Sequence, residues 1–297
     1  MPTQVVVLGA AGMLGHKVFQ CLRTAFPGTI ASMRRAKCPP FDRIDLLQGS
    51  DVKNGTDVMD FDTLGSWLSE IRPRYIVNCI GIIKQRAQAQ EAIPSIAINS
   101  LLPHRLAALA ARWGGRLIHF STDCVFAGTR GNYTEEDESD AHDLYGRSKF
   151  LGEVAAENAL TLRTSIIGRE LVEHRSLLDW FLAQKGRSVR GFRRVIYSGV
   201  TTNHISDLVV EIISTHPELS GLYQVAGRPI SKYDLLCQLR EAYGMNVEIA
   251  PDDQEQSDRS MSGQKLKRAI GYIAPPWPEL VRQLASDPTP YESWLSQ

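Results

Sequence analysis

Gly9-Ala10-Ala11-Gly12-Met13-Leu14-Gly15 is the segment of this 297-residue chain that most narrows its fold. It follows a β-branched, apolar run at residues 4–8 (QVVVL). It precedes a stretch, Met13 to Phe26, in which Leu14, Val18, Phe19, Leu22 and Phe26 recur at helical spacing. Glycines let a strand turn sharply into a helix and let backbone approach backbone. The first turn of such a helix carries unpaired amides and the positive end of its dipole, which together suit the pyrophosphate of a dinucleotide. The third glycine would allow close helix–strand packing. Glycines spaced three and three depart from the GxGxxG form, but their place in the first strand–helix unit favours the dinucleotide reading over a plain small-residue turn.

Elements alternate beyond it. Thr29 to Met33 reads as a second strand. Asp60 or Asp62 N-caps a helix through Leu64, Trp67, Leu68 and Ile71 that stops before Pro73. Tyr75 to Ile80 reads as a buried strand, Asn99 to Trp113 as an Ala- and Leu-rich helix, and Arg116 to Ser121 and Leu160 to Ile167 as further strands. Gly128 to Asp143 is polar and acidic, a surface loop. The order predicts an α/β fold with a doubly wound parallel sheet of the Rossmann type. After Ile167 the pattern loosens into helices at SLLDWFLAQKG, HISDLVVEIIS and KYDLLCQLREAYG, extended chain at VRGFRRVIYSG, and a tail whose Trp277 and Trp294 are expected to pack. We therefore expect an NAD(P)-binding domain over residues 1–165 and a smaller substrate-binding lobe over 166–297. Part of 200–227 is left free to return to the first domain.

Composition bounds the function. A chain near 300 residues buries about three quarters of its unfolded surface and needs no covalent staples. The 33 basic and 33 acidic side chains cancel, which removes the electrostatic case for nucleic acid or an anionic membrane as partner. Five scattered cysteines without a CxxC pair argue against a disulfide framework or structural zinc and fit a reducing cytoplasm. No apolar run reaches the roughly 18 residues of a membrane span, and the first residues read as a strand rather than a signal peptide. No metal is expected.

The second strand should end in a residue that reads the adenosine ribose, an acid for NAD or an arginine for the 2′-phosphate of NADP. The chain offers Arg34 and Arg35, with no acid until Asp42, so NADPH is expected and NADH is the alternative. Besides Gly9, Gly12 and the amides of Met13 and Leu14, the cofactor set comprises Asp57 and Val58 at the end of a third strand, for adenine. Ile80 and Gly81 lie on the nicotinamide side, and Asn99 opens the next helix, as a cap or as the holder of a water in a relay to Lys149.

Tyr145 and Lys149 stand one helical turn apart on one face. A phenol near pKa 10 is a poor acid at neutral pH, and a nearby ammonium together with an oxidised nicotinamide would bring it nearer neutrality. Ser121-Thr122-Asp123 closes an apolar strand at the edge where such sheets bind ligands, and a hydroxyl there can donate to a substrate carbonyl. Glycine turn, Thr122, Tyr145 and Lys149 occur in the order that a ketone reductase needs.

GAAGMLG, STDCVFAGTRGNYTE, YGRSKFLGE and LRTSIIG together resemble the dTDP-4-dehydrorhamnose reductase branch of the extended short-chain dehydrogenase/reductases, strongly over about residues 4–170. The resemblance implies reduction of the 4-keto group of a nucleotide-linked 4-keto-6-deoxysugar. It assigns the chemistry to Thr122, Tyr145 and Lys149, with Tyr145 as proton donor. Departures stand at Cys124 and Ala127, where the family commonly has an aromatic residue and Asp, and at Ile166, where its RTSW element has Trp. Thr122-Asp123-Cys124 also lacks the acidic pair of related dehydratases. In GDP-fucose synthase-like relatives a cysteine in the place of Cys124 pairs with a histidine, and His174 would be the candidate here for a combined 3,5-epimerase and 4-reductase. A third implication is a non-catalytic NADP-binding regulatory subunit, like that of methionine adenosyltransferase.

Lys84, Asp123, Cys124, His174, Tyr197, Asn203 and Arg259 are the candidate substrate contacts, with Arg193, Arg194 and Ser260 as further polar candidates, because arginine pairs phosphate oxygens in bidentate fashion. The expected partner is a nucleotide-linked ketosugar, and a homodimer is left open.

Overall fold

The computed structural model describes residues 5–34, 40–83, 90–172 and 175–295. The amino-terminal half runs β1 (Val5–Leu8), α1 (Met13–Ala25), β2 (Ile30–Ser32), β3 (Val52–Lys53), α2 (Phe61–Ile71), β4 (Tyr75–Asn78), α3 (Ala92–Ser95), a π-helical turn (Ile96–Leu101), α4 (Leu102–Ala111) and β5 (Arg116–Thr122). It continues with α5 (Leu144–Leu151), β6 (Ala159–Thr164), β7 (Ile166–Ile167), α6 (Leu177–Leu182), β8 (Ser188–Tyr197) and β9 (Val200–Thr201). The remainder is α7 (Thr202–Thr215), β10 (Gly221–Val225), β11 (Ile230–Ser231), α8 (Lys232–Ala242), β12 (Glu248–Asp258), α9 (Gln264–Ile270), α10 (Trp277–Ala285) and α11 (Tyr291–Leu295).

Seven parallel strands form the central sheet in the order β3-β2-β1-β4-β5-β6-β10. The all-apolar β1 explains why both faces are covered. Side chains alternate across a strand, so Val5 and Val7 join one core cluster with Val18, Phe19 and Val209, whereas Val6 and Leu8 join the other with Leu64, Leu68 and Leu106. The expected doubly wound α/β fold is the one the chain adopts. A three-stranded sheet, β11-β8-β12, stands beside it, with β12 parallel to β8 and β11 antiparallel. The α1-side cluster runs on without a break into Val189 and Ile249 of that second sheet and Leu235 of α8. Residues 221–225 lie at the β6 edge of the central sheet.

Local expectations meet several corrections. Asp60 does cap α2, accepting the Thr63 amide at 3.1 Å. Asn99 does not open a helix: the helical segment begins at Ala92, and Asn99 sits inside the π-helical turn. Asp57 and Val58 lie past the third strand, which ends at Lys53, in the connection to α2.

The strand after α5 carries a buried charge. Arg163 donates through Nε and Nη2 to both Glu153 carboxylate oxygens at 2.9 and 2.6 Å, and Ser121 Oγ donates to Oε1 at 2.6 Å. The Arg163 guanidinium also covers the Phe126 ring, which stacks on Tyr133 at 4.1 Å. Together these contacts tie the end of α5, strand β6 and the segment after Thr122 into one unit. Removing one partner of such a pair strands the other charge, at a cost of about 3–5 kcal/mol. Arg163→Ala is therefore expected to lower the unfolding free energy by about that amount in urea titrations, and a loss within error of zero would refute the assignment.

Candidate active site

Parallel strands bring the carboxyl ends of β1, β4 and β5 to one edge, so Gly9, Asn78–Gly81 and Thr122 follow one another along it. Gly9 has φ +87°, and its amide and that of Ala10 donate to Ser32 O at 3.0 and 2.9 Å, fastening the turn to β2. A Cβ on Gly9 would stand 2.8 Å from the Ile80 side chain, and one on Gly15 would stand 2.0 Å from Gly9 O. A Cβ on Gly12 would meet only Gly9 O, at 3.4 Å, so the outer side of the turn is open. Helix α1 starts there with no side-chain cap and no acid in its first turn. An open cradle before uncapped amides fits a diphosphate.

Around that cradle, Arg34 is exposed just beyond β2, while Arg35 lies outside the described residues. Asp57 is exposed and accepts the Met59 amide at 3.0 Å; Val58 packs against the α2-side core. Asn99 brackets the opposite wall. Its Oδ1 accepts the Ile82 amide at 2.9 Å, and its Nδ2 donates to Ile82 O and to Ser148 Oγ at 3.1 and 3.2 Å. A Cβ on Gly81 would stand 3.4 Å from Asn99 Oδ1 and 3.9 Å from Lys149 Nζ, so the glycine keeps the approach to the ammonium clear.

Thr122, Tyr145 and Lys149 come together. Thr122 Oγ1 accepts the Cys124 amide at 3.2 Å and donates to Asp123 Oδ1 at 3.1 Å. Asp143 caps α5 through the Gly146 amide at 2.8 Å, which sets the helix start and with it the phenol. Burial pushes the Tyr145 hydroxyl well above its ordinary pKa; the Cys124 thiol beside it adds to the rise, and the Thr122 hydroxyl opposes it. Lys149 is buried, its Nζ donating to Phe120 O at 2.6 Å. Burial lowers its pKa to about 8, against the opposing charge of Glu153. The ammonium is drawn to a strand carbonyl, and desolvation dominates at Tyr145.

The remaining candidates separate. Asp123 is buried, which raises its carboxyl pKa against the pull of Arg259 and its hydrogen bonds. Arg259 donates to Phe126 O and Ala127 O at 2.9 and 3.3 Å. Tyr197 packs at a tilt against Trp277, with ring centroids 5.4 Å apart; its buried hydroxyl lacks a hydrogen-bond partner, and burial and Asp123 raise its pKa. Asp123, Cys124, Tyr197 and Arg259 therefore group with Thr122 and Tyr145. Arg193 and Arg194 pair across strands with Asp253 and Gln256 at 2.9 and 2.5 Å on an exposed face. Ser260 Oγ accepts the Asn132 amide at 2.9 Å, and Asn203 is engaged with Asp287 at 3.1 Å. Lys84 and His174 lie outside the described residues. Among the described residues no cluster of metal-ligating side chains occurs, and no helix is long and apolar enough to cross a membrane. Sequence reasoning noted Ser121 and the motif ending in Glu153 but missed the link of both to Arg163; the signal was that arginine inside an otherwise apolar strand.

A family model described as the RmlD substrate binding domain matches residues 3–288. The chain is 26% identical over 265 residues to methionine adenosyltransferase 2 subunit beta of Mus musculus, covering 82% of this chain and 72% of that one. It is 26% identical over 257 residues to the spore coat polysaccharide biosynthesis protein SpsK of Bacillus subtilis, covering 83% and 82%. Among solved structures, dTDP-4-dehydrorhamnose reductase of Bacillus anthracis in complex with NADP superposes with a TM-score of 0.79 at 19% identity, covering 96% of this chain and 99% of that one. A hypothetical enzyme of the same name from Sulfolobus tokodaii gives 0.75 at 20%, covering 92% and 98%.

The Lys149 shift has a pH signature. Its pKa is lower folded than unfolded, so between about 8 and the unfolded value near 10.5 the unfolded state binds more protons, and stability rises with pH. From about pH 7.5 to about pH 9.5, wild-type unfolding free energy is expected to climb relative to Lys149→Met. Parallel urea-derived profiles for the two proteins would contradict a desolvated ammonium.

Proposed function

The chain belongs to the RmlD substrate binding domain family, and from that premise we propose that it reduces the 4-keto group of a nucleotide-linked 4-keto-6-deoxysugar with NADPH. The observation that carries the reading is the convergence of Thr122, Tyr145 and Lys149 beside the open glycine turn. The amides of Met13 and Leu14 and the dipole of α1 hold the diphosphate, with Arg34 at the 2′-phosphate and Ile80 and Gly81 along the nicotinamide side. NADPH bound there supplies the hydride that the ketone carbon accepts.

The protein's own groups handle the oxygen. Thr122 Oγ1 donates to the carbonyl, and Tyr145 Oη gives up its proton as negative charge grows there, so that the ketone becomes a secondary alcohol. Burial keeps that proton on the phenol until then. Lys149, released from Phe120 O towards the gap beside Gly81, holds the nicotinamide ribose and stabilises the phenolate. Asp123, Tyr197 and Arg259 offer a buried carboxyl, an unpartnered phenol and a guanidinium to the sugar nucleotide.

A second reading, an NADP-binding subunit without turnover, is favoured by the likeness to methionine adenosyltransferase 2 subunit beta over 82% of this chain. The Thr122, Tyr145 and Lys149 set favours the enzyme.

NADPH oxidation measured over dTDP-, UDP- and GDP-linked 4-keto-6-deoxysugars decides between them. Tyr145→Phe is expected to cut turnover by about 10²–10⁴-fold while NADPH binding persists; wild-type binding without oxidation of any of these sugars would favour the subunit instead. Arg34→Ala should weaken NADPH by roughly 10-fold or more and leave NADH nearly unchanged. Equal loss for both cofactors would remove Arg34 from the 2′-phosphate.

A further inference from the structure

A buried polar cluster behind helix α1 takes no part in the chemistry above. His16, one turn into α1, is fully buried. Its Nδ1 lies 2.9 Å from Gly12 O and its Nε2 lies 2.8 Å from the hydroxyl of Tyr291, 275 residues away in the chain. A carbonyl can only accept, so Nδ1 carries the ring proton and Nε2 accepts the O–H of Tyr291. Burial holds the imidazole pKa at about 4, which keeps the ring neutral in this arrangement.

The next residue is tied to the same segment. Lys17 Nζ donates to Asp287 Oδ1 at 3.0 Å, to Thr289 Oγ1 at 3.1 Å and to Gln20 Oε1 at 2.7 Å. Asn203 Nδ2 donates to Asp287 Oδ2 at 3.1 Å. The Arg169 guanidinium covers the Tyr291 ring at 4.8 Å and pairs with Glu292 at 2.9 Å. Residues 287–292 therefore grip α1 at two consecutive positions, and Tyr291 lies past residue 288, where the family match ends.

Gly12 is the N-cap of α1, exposed and without a side chain to fix it. Its carbonyl and the Met13 amide belong to one rigid trans peptide unit, so holding the oxygen fixes the direction of that N–H. The same oxygen accepts the His16 amide at 3.1 Å, so both donors of one residue hold it.

We propose that the Asp287–Trp294 segment is a clamp on the dinucleotide turn, in which Tyr291, through His16, is a positioning residue that aims the Met13 amide at the cofactor's diphosphate. The proposal rests on the reading above that this turn holds NADPH. It predicts that loss of one hydroxyl, remote from the cofactor, weakens cofactor binding and leaves the chemical step alone.

The test uses the full chain and Tyr291→Phe, which keeps the ring against Arg169 and Trp294. NADPH affinity by fluorescence titration, KM and kcat with a ketosugar, and amide exchange of Met13–His16 are read together. The expected result is an NADPH Kd and KM raised about five-fold with kcat within about two-fold, and faster exchange of the His16 amide, whose acceptor is Gly12 O. Wild-type affinity in the variant, whatever its melting temperature, overturns the clamp. If the wild type itself fails to bind NADPH, the reading of the turn falls separately, and unchanged amide exchange in Tyr291→Phe then overturns the clamp. His16→Phe, which lacks both ring nitrogens, gives the same comparison should Tyr291→Phe fail to fold.

Discussion

Helix α1 can begin where it does because nothing stands at the Cβ position of Gly15, a point 2.0 Å from the carbonyl oxygen of Gly9. That contact between two backbones sets the angle at which the chain leaves β1. The rest of the crevice takes its bearings from it. Gly9 is fastened to the end of β2 through Ser32, and Ile80 beyond β4 leaves no room for a side chain on it. The chain winds from β1 outward to β2 and β3, then crosses to β4 and winds the other way. The crevice therefore opens at the point where the strand order reverses, which is where doubly wound sheets take ligands.

Helix α5 inverts the usual arrangement of a surface helix. Ser148 and Lys149 point inward and are buried, while Phe150 and Leu151 are 42% and 60% exposed. The inward polar groups are tolerated because each has a partner: Ser148 with Asn99, Lys149 with Phe120 O, and Glu153 just beyond the helix with Arg163. Desolvation then acts oppositely on the two reactive groups, raising the phenol and lowering the ammonium. Both shifts favour the uncharged form of the group.

The strand–glycine–helix unit, the Asp60 cap and the YxxxK helix were legible because each is encoded within a few neighbouring residues. Asn99 was misplaced because an Ala- and Leu-rich periodicity begins near it, whereas the π-helical turn that carries it is a tertiary accommodation to Ile82 and Ser148. Asp57 and Val58 were set at the end of a third strand because residue type marks a ribose or adenine contact better than it marks where a two-residue strand stops. Strand β12 carried no signal at all. Its PDDQEQSD stretch lacks apolar alternation, and its pairing with β8 is held by Arg190–Asp252 and Arg194–Gln256 contacts that no local pattern announces. Helical spacing likewise places Lys149 near Tyr145 but cannot say that a strand carbonyl accepts a hydrogen bond from it.

Strand β12 also has a consequence for how copies of the molecule meet. Eleven residues long, it ends the three-stranded sheet; its Asp258 amide donates to Gly128 O at 2.7 Å, and no further strand pairs with it among the described residues. Such a border ordinarily invites another chain to add itself by backbone pairing. Here Pro251 withholds a donor, a register shift between Asp252 and Gln256 bends the border, and Asp253 and Glu255 are exposed there. A like strand arriving alongside would meet a kinked border that lacks one donor, which disfavours continuous backbone pairing there.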